Sequence, residues 1–310
     1  MTTDWLTPSA HAPQFPDHRR NELFRESLTA KLPRWALGTA FVMLPSRIGA
    51  LPALLGKTLM SILRGGTVLP SAANVHSRPD GFAGVVRGAS PGSLLSAHRL
   101  GFYAQSHFGP LKWWSTSQRY VLFLGERTLP NKLRRIIRKS SLEVTFDTAF
   151  DEVIKACAEP RPGRPRLTWI TPRIMHLYAS LHDQGYAHSF ELWDGAGKLV
   201  GGGYGVAIGN VFVTESQFSR VRDASKIGFQ VLNQHLALWG FVLNDVKSFA
   251  PHFDNMGFRH ISRKEYEVLL EEHAQPRNDG DRPWKVVAAL DEVAAGGAAG
   301  RDPSSRLREL

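Results

Sequence analysis

One cysteine, Cys157, stands among 310 residues, which excludes an intramolecular disulfide and a cysteine-rich metal centre and suits a reducing compartment. It reads as a small core residue. Acidic residues are scarce beside basic ones, 28 against 38, so the formal charge is +10 and a polyanion, nucleic acid or anionic lipid, is attracted. No apolar run reaches the roughly 20 residues that span a bilayer. Pro45, Arg47, Pro52 and Lys57 interrupt the apolar stretch from Trp35 to Leu63. A basic head, apolar stretch and small-residue cleavage site are missing from the N-terminus. The expectation is a monomeric, cytoplasmic protein without stable membrane insertion, carrying at most a basic amphipathic extension. No repeat is evident. Gly201-Gly202-Gly203-Tyr204-Gly205 lacks phosphate-loop or dinucleotide spacing and reads as a strand bulge where a ligand approaches the backbone. His182 and His188 flank Gly185 without cysteines or carboxylates at metal spacing, so no metal is expected and His188 reads as a hydrogen-bonding scaffold.

The hydrophobic share, 43%, is ample for a core. Residues 1–79, rich in Pro, Arg and Leu without a sustained period, read as an extension of undefined order. Residues 80–102 read as a strand, a turn and a helix, with Ser90 as N-cap, Pro91 in the first turn and Gly101 as the stop. Lys132, Arg134, Arg135, Arg138 and Lys139 fall on one helix opposite Leu133, Ile136 and Ile137, a basic face over an apolar stripe. That face suits the phosphates of a nucleic acid, or simply water. Strand 143–146 and helix 149–158 follow, then a helix capped by Thr171 and Pro172. Strands 189–193, 199–208 and 211–214 form a meander, followed by helix 224–239, ending at Gly240, and the short buried strand 241–245. The alternation predicts an α+β fold around one mixed sheet. The expected divisions are an extension over 1–79, a small domain over 80–125, a catalytic domain over 126–287 and a disordered tail over 288–310.

The run Leu181-His-Asp-Gln-Gly-Tyr-Ala-His-Ser-Phe-Glu191, with Leu199-Val-Gly-Gly-Gly-Tyr-Gly205 and Glu215-Ser-Gln-Phe-Ser219, resembles the signature core of the leucyl/phenylalanyl-tRNA-protein transferases. Residues 80–102 and Leu111-Lys-Trp-Trp-Ser115 extend the resemblance, with Thr116 where the family has proline. It implies an acetyltransferase-like (GNAT-type) catalytic domain behind a small N-terminal α/β domain. It also implies transfer of an amino acid from charged tRNA to an acceptor protein bearing N-terminal Arg or Lys. Such transfer requires the ester and amine to be held together, charge on the carbonyl oxygen to be stabilised and the amine to lose a proton. That chemistry calls for no cofactor.

Glu215 ends an apolar strand in this reading and can orient the amine, or simply pair with Arg220 or Arg222. The resemblance assigns it a catalytic role together with Asp245. Strand alternation puts Asp245 and Lys247 on one side, where Lys247, a catalytic candidate itself, could pair with Asp245, supply positive charge to the oxyanion or the ribose phosphate, or accept a proton if burial depressed its pKa. Lys247 stands where the family has glutamine; an ammonium offers donors only, whereas glutamine also accepts. Gln217 replaces a methionine of the family's apolar donor pocket, which would make that wall polar and shift donor choice. Tyr204, Phe218, Ser219 and His252 complete the implied substrate site, with Ala250-Pro251 preceding the histidine in place of Asn-Asp. Trp114 and Trp169 are candidates to stack the terminal adenine of the tRNA. The helix opened by Ser225-Lys226 could meet a phosphate. An acyl-coenzyme A acyltransferase of the same fold and a non-catalytic tRNA- or peptide-binding descendant remain open alternatives.

Overall fold

The computed structural model describes residues 17–44, 49, 51–107, 109–127, 129–160, 168–253, 256–275 and 284–295. Its first helices are α1 (Asp17–Leu23), α2 (Leu28–Val42) and α3 (Leu51–Leu63). Part of the extension is firmly docked. Arg20 is buried and donates to Asp151 at 2.9 Å and Asp183 at 2.8 Å, and Phe24 is fully covered. Residues 1–16 lie outside the described residues.

A small antiparallel sheet in the order β1-β2-β4-β3 follows, built from β1 (His76–Ser77), β2 (Asp80–Val85), β3 (Tyr103–Gln105) and β4 (Lys112–Trp114). Helix α4 (Pro91–Arg99) links β2 to β3. Ser90 and Ser93 cap it reciprocally, each hydroxyl accepting from the other's N–H at 2.9–3.1 Å. Gly101, at φ +78°, turns the chain out of the helix.

Strand β5 (Gln118–Phe123) belongs to the larger sheet, so sheet membership changes at 115–117 rather than at the expected boundary of 125. Its partners come far later in the chain. The remaining elements are α5 (Asn131–Arg138), β6 (Glu143–Phe146), α6 (Phe150–Ala158), α7 (Pro172–Asp183), β7 (Ala187–Trp193), β8 (Leu199–Ile208), β9 (Val211–Ser219), α8 (Ala224–Leu238), β10 (Leu243–Asp245), β11 (Arg259–Ser262), α9 (Arg263–His273) and α10 (Leu290–Ala295). The seven strands run β11-β5-β10-β9-β8-β7-β6, with β9 and β10 parallel and the other neighbours antiparallel. This is an α+β architecture around a mixed sheet. Residues of α4, α6, α7 and α9 share one hydrophobic cluster, and those of α5, α8 and α10 share another.

Three local expectations change. The register of β8 against β9 does shift between Tyr204 and Gly205, as a bulge there requires, but the glycines make room for the protein's own side chains: a Cβ would lie 2.7 Å from the Phe190 ring at Gly203 and 2.5 Å from the Phe212 ring at Gly205. Strand β9 continues to Ser219, so Glu215 lies inside it. The tail is ordered as far as Ala295 because α10 buries Val293 and Ala294, while His235 Nε2 accepts from the Val287 and Ala288 N–H groups at 2.9 and 3.1 Å. Residues 296–310 lie outside the described residues.

Glu191, fully buried in β7, accepts from the hydroxyls of Ser189, Thr145 and Thr148, yet burial outweighs these bonds and raises its carboxyl to about 7. The unfolded chain releases that proton near 4.5, so from there to about 7 the native state holds the extra proton and stability falls as pH rises, by about 3 kcal/mol in all. Glu191→Gln is expected to remove that slope. Urea midpoints at pH 5 and pH 8 test it; equal slopes in wild type and variant would contradict the assignment.

Candidate active site

The parallel pairing of β9 and β10 stops at Val213 and Asp245. One residue further, β9 bulges: Gly205 faces Thr214 and Tyr204 faces Ser216, leaving Glu215 as the inserted residue. Beyond Val213, no strand pairs with β9 on its β10 side among the described residues. The chain leaves β10 through Lys247, a non-glycine residue at φ +69°. The sheet therefore opens where the two expected carboxylates stand.

Both carboxylates end on Lys247. Asp245 Oδ1 accepts its backbone N–H at 2.7 Å, and Glu215 Oε2 accepts from its Nζ at 2.6 Å. The direct side-chain pairing of Asp245 with Lys247 expected from strand alternation does not form, because the strand ends at 245 and the left-handed turn swings the ammonium toward Glu215. Asp245 instead binds the buried Arg119 guanidinium and accepts from the Tyr266 hydroxyl at 2.9 Å. Arg119 lies 4.5 Å from the Tyr266 ring centroid and 5.3 Å from that of Tyr103. Burial disfavours its charge, and the Asp245 carboxylate restores it, holding the guanidinium above its ordinary range.

Glu215 pairs with neither Arg220, which binds Glu159, nor Arg222, which binds Asp223. Its Oε1 faces His98 Nε2 at 2.9 Å, and His98 Nδ1 lies 2.7 Å from the Leu94 carbonyl. Both ring nitrogens thus face oxygens that accept, an arrangement satisfied when the ring donates from both. Burial alone would push the Glu215 carboxyl up, but Lys247 and His98 reverse this and bring it down to about 2. Glu215 is an anion between two donors.

The Lys247 ammonium lies 5.4 Å from the Tyr103 ring centroid and 5.6 Å from that of Trp169. Trp169 is half-buried, and burial raises the Tyr103 phenol to about 12. Trp114 faces Tyr103 across the small sheet, half-buried, with its indole N–H donating to the Gln105 carbonyl at 2.9 Å. Gln217, two residues along β9 from Glu215, is half-buried opposite Gly203.

Other expected positions fall elsewhere. Tyr204 is buried against Tyr178 and Phe150, so it forms core beneath the site and not a substrate wall. Phe218 is also buried, with Arg220 over its ring at 5.2 Å. Ser219 accepts from the Ser225 N–H at 3.3 Å, and Asp223, at the start of α8, pairs with Lys226 at 2.9 Å. That helix start thus presents a carboxylate where a pyrophosphate would need donors. His188 acts as a scaffold, bonded to Asp147 at 2.7 Å and stacked on Trp284 at 3.6 Å. His252 belongs to the turn Pro251–Phe253, and its side chain lies outside the described residues.

The basic helix is α5, on the sheet face occupied by α8 and α10. Leu133 and Ile137 are buried, Lys132, Arg135, Arg138 and Lys139 are exposed, and Arg134 is half-buried, donating to the Leu129 carbonyl at 3.0 Å. Asn131, Arg134, Arg135, Arg138 and Lys139 line an open depression of about 390 Å³.

Sequence reasoning missed His98, Arg119, Tyr103 and Tyr266. Two had a signal: His98 follows Leu94 by four residues on the apolar face of α4, and Arg119 stands directly before the apolar run 120–123.

The family described as Leucyl/phenylalanyl-tRNA protein transferase matches residues 121–271. A Leucyl/phenylalanyl-tRNA--protein transferase of Pseudomonas fluorescens (strain SBW25) is 40% identical over 222 residues, 71% of this chain and 96% of that protein. A Leucyl/phenylalanyl-tRNA--protein transferase of Syntrophobacter fumaroxidans is 44% identical over 195 residues, 63% of this chain and 83% of that protein. Among solved structures, the crystal structure of FemX aligns with 50% of this chain and 64% of its own at 10% identity and a TM-score of 0.36, too slight a likeness to fix the fold family.

Proposed function

The chain belongs to the leucyl/phenylalanyl-tRNA-protein transferase family and is an aminoacyl-tRNA-protein transferase, and from that premise we propose that Lys247 meets the donor ester while Glu215 and Asp245 hold it there. What carries this reading is the convergence of both carboxylates on one residue, one on its backbone N–H and the other on its ammonium. With one proton given to Glu215, the ammonium keeps two donors for the charge that develops on the ester carbonyl oxygen. The acceptor's amine forms the C–N bond and the ester C–O bond breaks. The electron pair leaves with the ribose oxygen, which takes up the proton the amine releases. Trp169 and Trp114 supply aromatic faces for the terminal adenine, and the edge of β9 that no strand pairs offers backbone groups to the acceptor's N-terminal segment.

The finer assignments are an acetyltransferase-like catalytic fold, acceptors with N-terminal Arg or Lys and donors of the leucine or phenylalanine kind, shifted by Gln217. Helix α5 is the landing site for the tRNA acceptor stem. Its exposed cations point away from the core and can neutralise phosphates whose counterions are then released. The triple variant Arg135→Ala/Arg138→Ala/Lys139→Ala is expected to raise KM for charged tRNA about tenfold. The log–log salt slope is expected to flatten by about 0.7–0.9 for each phosphate that is no longer neutralised. A panel of labelled aminoacyl-tRNAs against peptides starting with Arg, Lys or Ala reads both donor and acceptor choice. An unchanged salt slope removes α5 from the interface, and indifference to the acceptor's first residue removes the Arg/Lys assignment.

A further inference from the structure

Helix α3 carries its side chains in the reverse of the order expected for a helix that meets only water. Its polar residues face the protein: Thr58 is buried, the Ser61 hydroxyl accepts from the Val85 N–H at 2.8 Å, and Lys57 donates to the Arg78 carbonyl at 2.6 Å. Leu55, Leu59, Ile62 and Leu63 share the opposite face by their spacing and are 49%, 56%, 50% and 70% exposed. Leu32 and Trp35 of α2 are exposed as well, with the Lys31 ammonium 5.1 Å from a Trp35 ring centroid. An apolar face of this kind marks a surface that something covers.

Charge identifies the covering surface. From residue 27 to residue 79 the sequence contains no Asp or Glu, while Lys31, Arg47, Lys57, Arg64 and Arg78 are basic; a further cation, Arg34, is paired with Glu26. A nucleic acid would satisfy the charge and leave the leucines wet. A second copy of the chain would cover the leucines and set basic segments against each other. An anionic bilayer surface satisfies both requirements, with apolar side chains below the headgroups, lysine and arginine among them and tryptophan at the boundary. We propose that α2 and α3 form a docking surface for an anionic lipid bilayer. The attachment is peripheral, since no helix among the described residues is long and apolar enough to cross a membrane. It is independent of the transfer chemistry.

Flotation of the full-length chain with vesicles tests this. With phosphatidylcholine and phosphatidylglycerol in equal parts, the protein is expected to float, about tenfold more than with phosphatidylcholine alone. Leu59→Glu/Ile62→Glu/Leu63→Glu and, separately, Arg64→Glu are expected to leave it in the dense fraction. These positions are exposed and lie outside the transfer site, so transfer to a soluble peptide is expected to persist. Wild-type protein that ignores anionic vesicles, flotation that survives both variants, or a dimer in light scattering that the triple variant dissociates would each overturn the proposal.

Discussion

Glu215→Gln is expected to lower kcat/KM for transfer by about a hundredfold to a thousandfold, the loss associated with misplacing a donor aimed at a developing oxyanion. The substitution keeps the shape of the side chain and removes the charge that fixes the Lys247 ammonium at 2.6 Å. It also leaves two buried donors, Lys247 and His98, competing for a neutral amide, which is expected to cost about 3–5 kcal/mol of stability. Rates are therefore measured well below the lowered melting temperature, with near-ultraviolet dichroism reporting the fold. Lys247→Gln acts from the other side. Burial raises the Glu215 carboxyl and Lys247 is the largest of the effects lowering it, so its removal is expected to bring Glu215 up from about 2. In wild type the folded carboxyl lies below its unfolded value of 4.5, so its stabilising contribution is present above 4.5 and is lost only as pH falls toward 2. In Lys247→Gln the gap to the unfolded value narrows, so that contribution shrinks, and an acid limb appears in the pH profile of kcat/KM. Wild-type rates in Glu215→Gln, or superimposable profiles for wild type and Lys247→Gln, would remove this pair from the mechanism.

The outline of the fold was legible wherever the determinants were local. The Ser90-Pro91 and Thr171-Pro172 starts cap their helices as expected, and the strand over 143–146 and the meander from β7 to β9 follow from alternation and turn residues. What stayed hidden depends on partners distant in sequence. Asp151 and Asp183 bind Arg20 from 131 and 163 residues away, so composition alone made residues 1–79 look loose. Strand β5 looked like part of the small domain until β10 and β11 closed on it. The site shows the same division. Glu215, Asp245 and Lys247 were visible as residues in a pattern, yet the period-2 rule set Lys247 beside Asp245 and gave no sign that its ammonium meets Glu215. That rule holds only inside a strand, and both the bulge at Glu215 and the left-handed Lys247 break it.

Asp245→Asn is the second large effect, and it separates positioning from contact with substrate. Asp245 is wholly buried and serves Arg119, Tyr266 and the Lys247 backbone at once. Asparagine offers one accepting oxygen where the carboxylate offers two, so the Lys247 N–H competes for it with Arg119 and Tyr266, and the buried Arg119 cation is left without its counter-ion, expected to cost about 3–5 kcal/mol. At about 2–4 °C per kcal/mol for a chain of this size, melting falls by about 10 °C. Tyr266→Phe is the control, since it removes one neutral donor at 2.9 Å while Arg119 and Asp245 remain paired, for about 1 kcal/mol. If Asp245 acts by holding the Lys247 turn, kcat drops in Asp245→Asn with little change in KM for tRNA, because α5 and the aromatic faces are untouched. Arg119→Met/Asp245→Leu removes both charges and is expected to recover most of the lost stability, as apolar replacements of buried ion pairs do, without recovering kcat, because the Lys247 N–H loses its acceptor. Recovery of kcat together with stability in that double variant would show that Asp245 serves the fold alone.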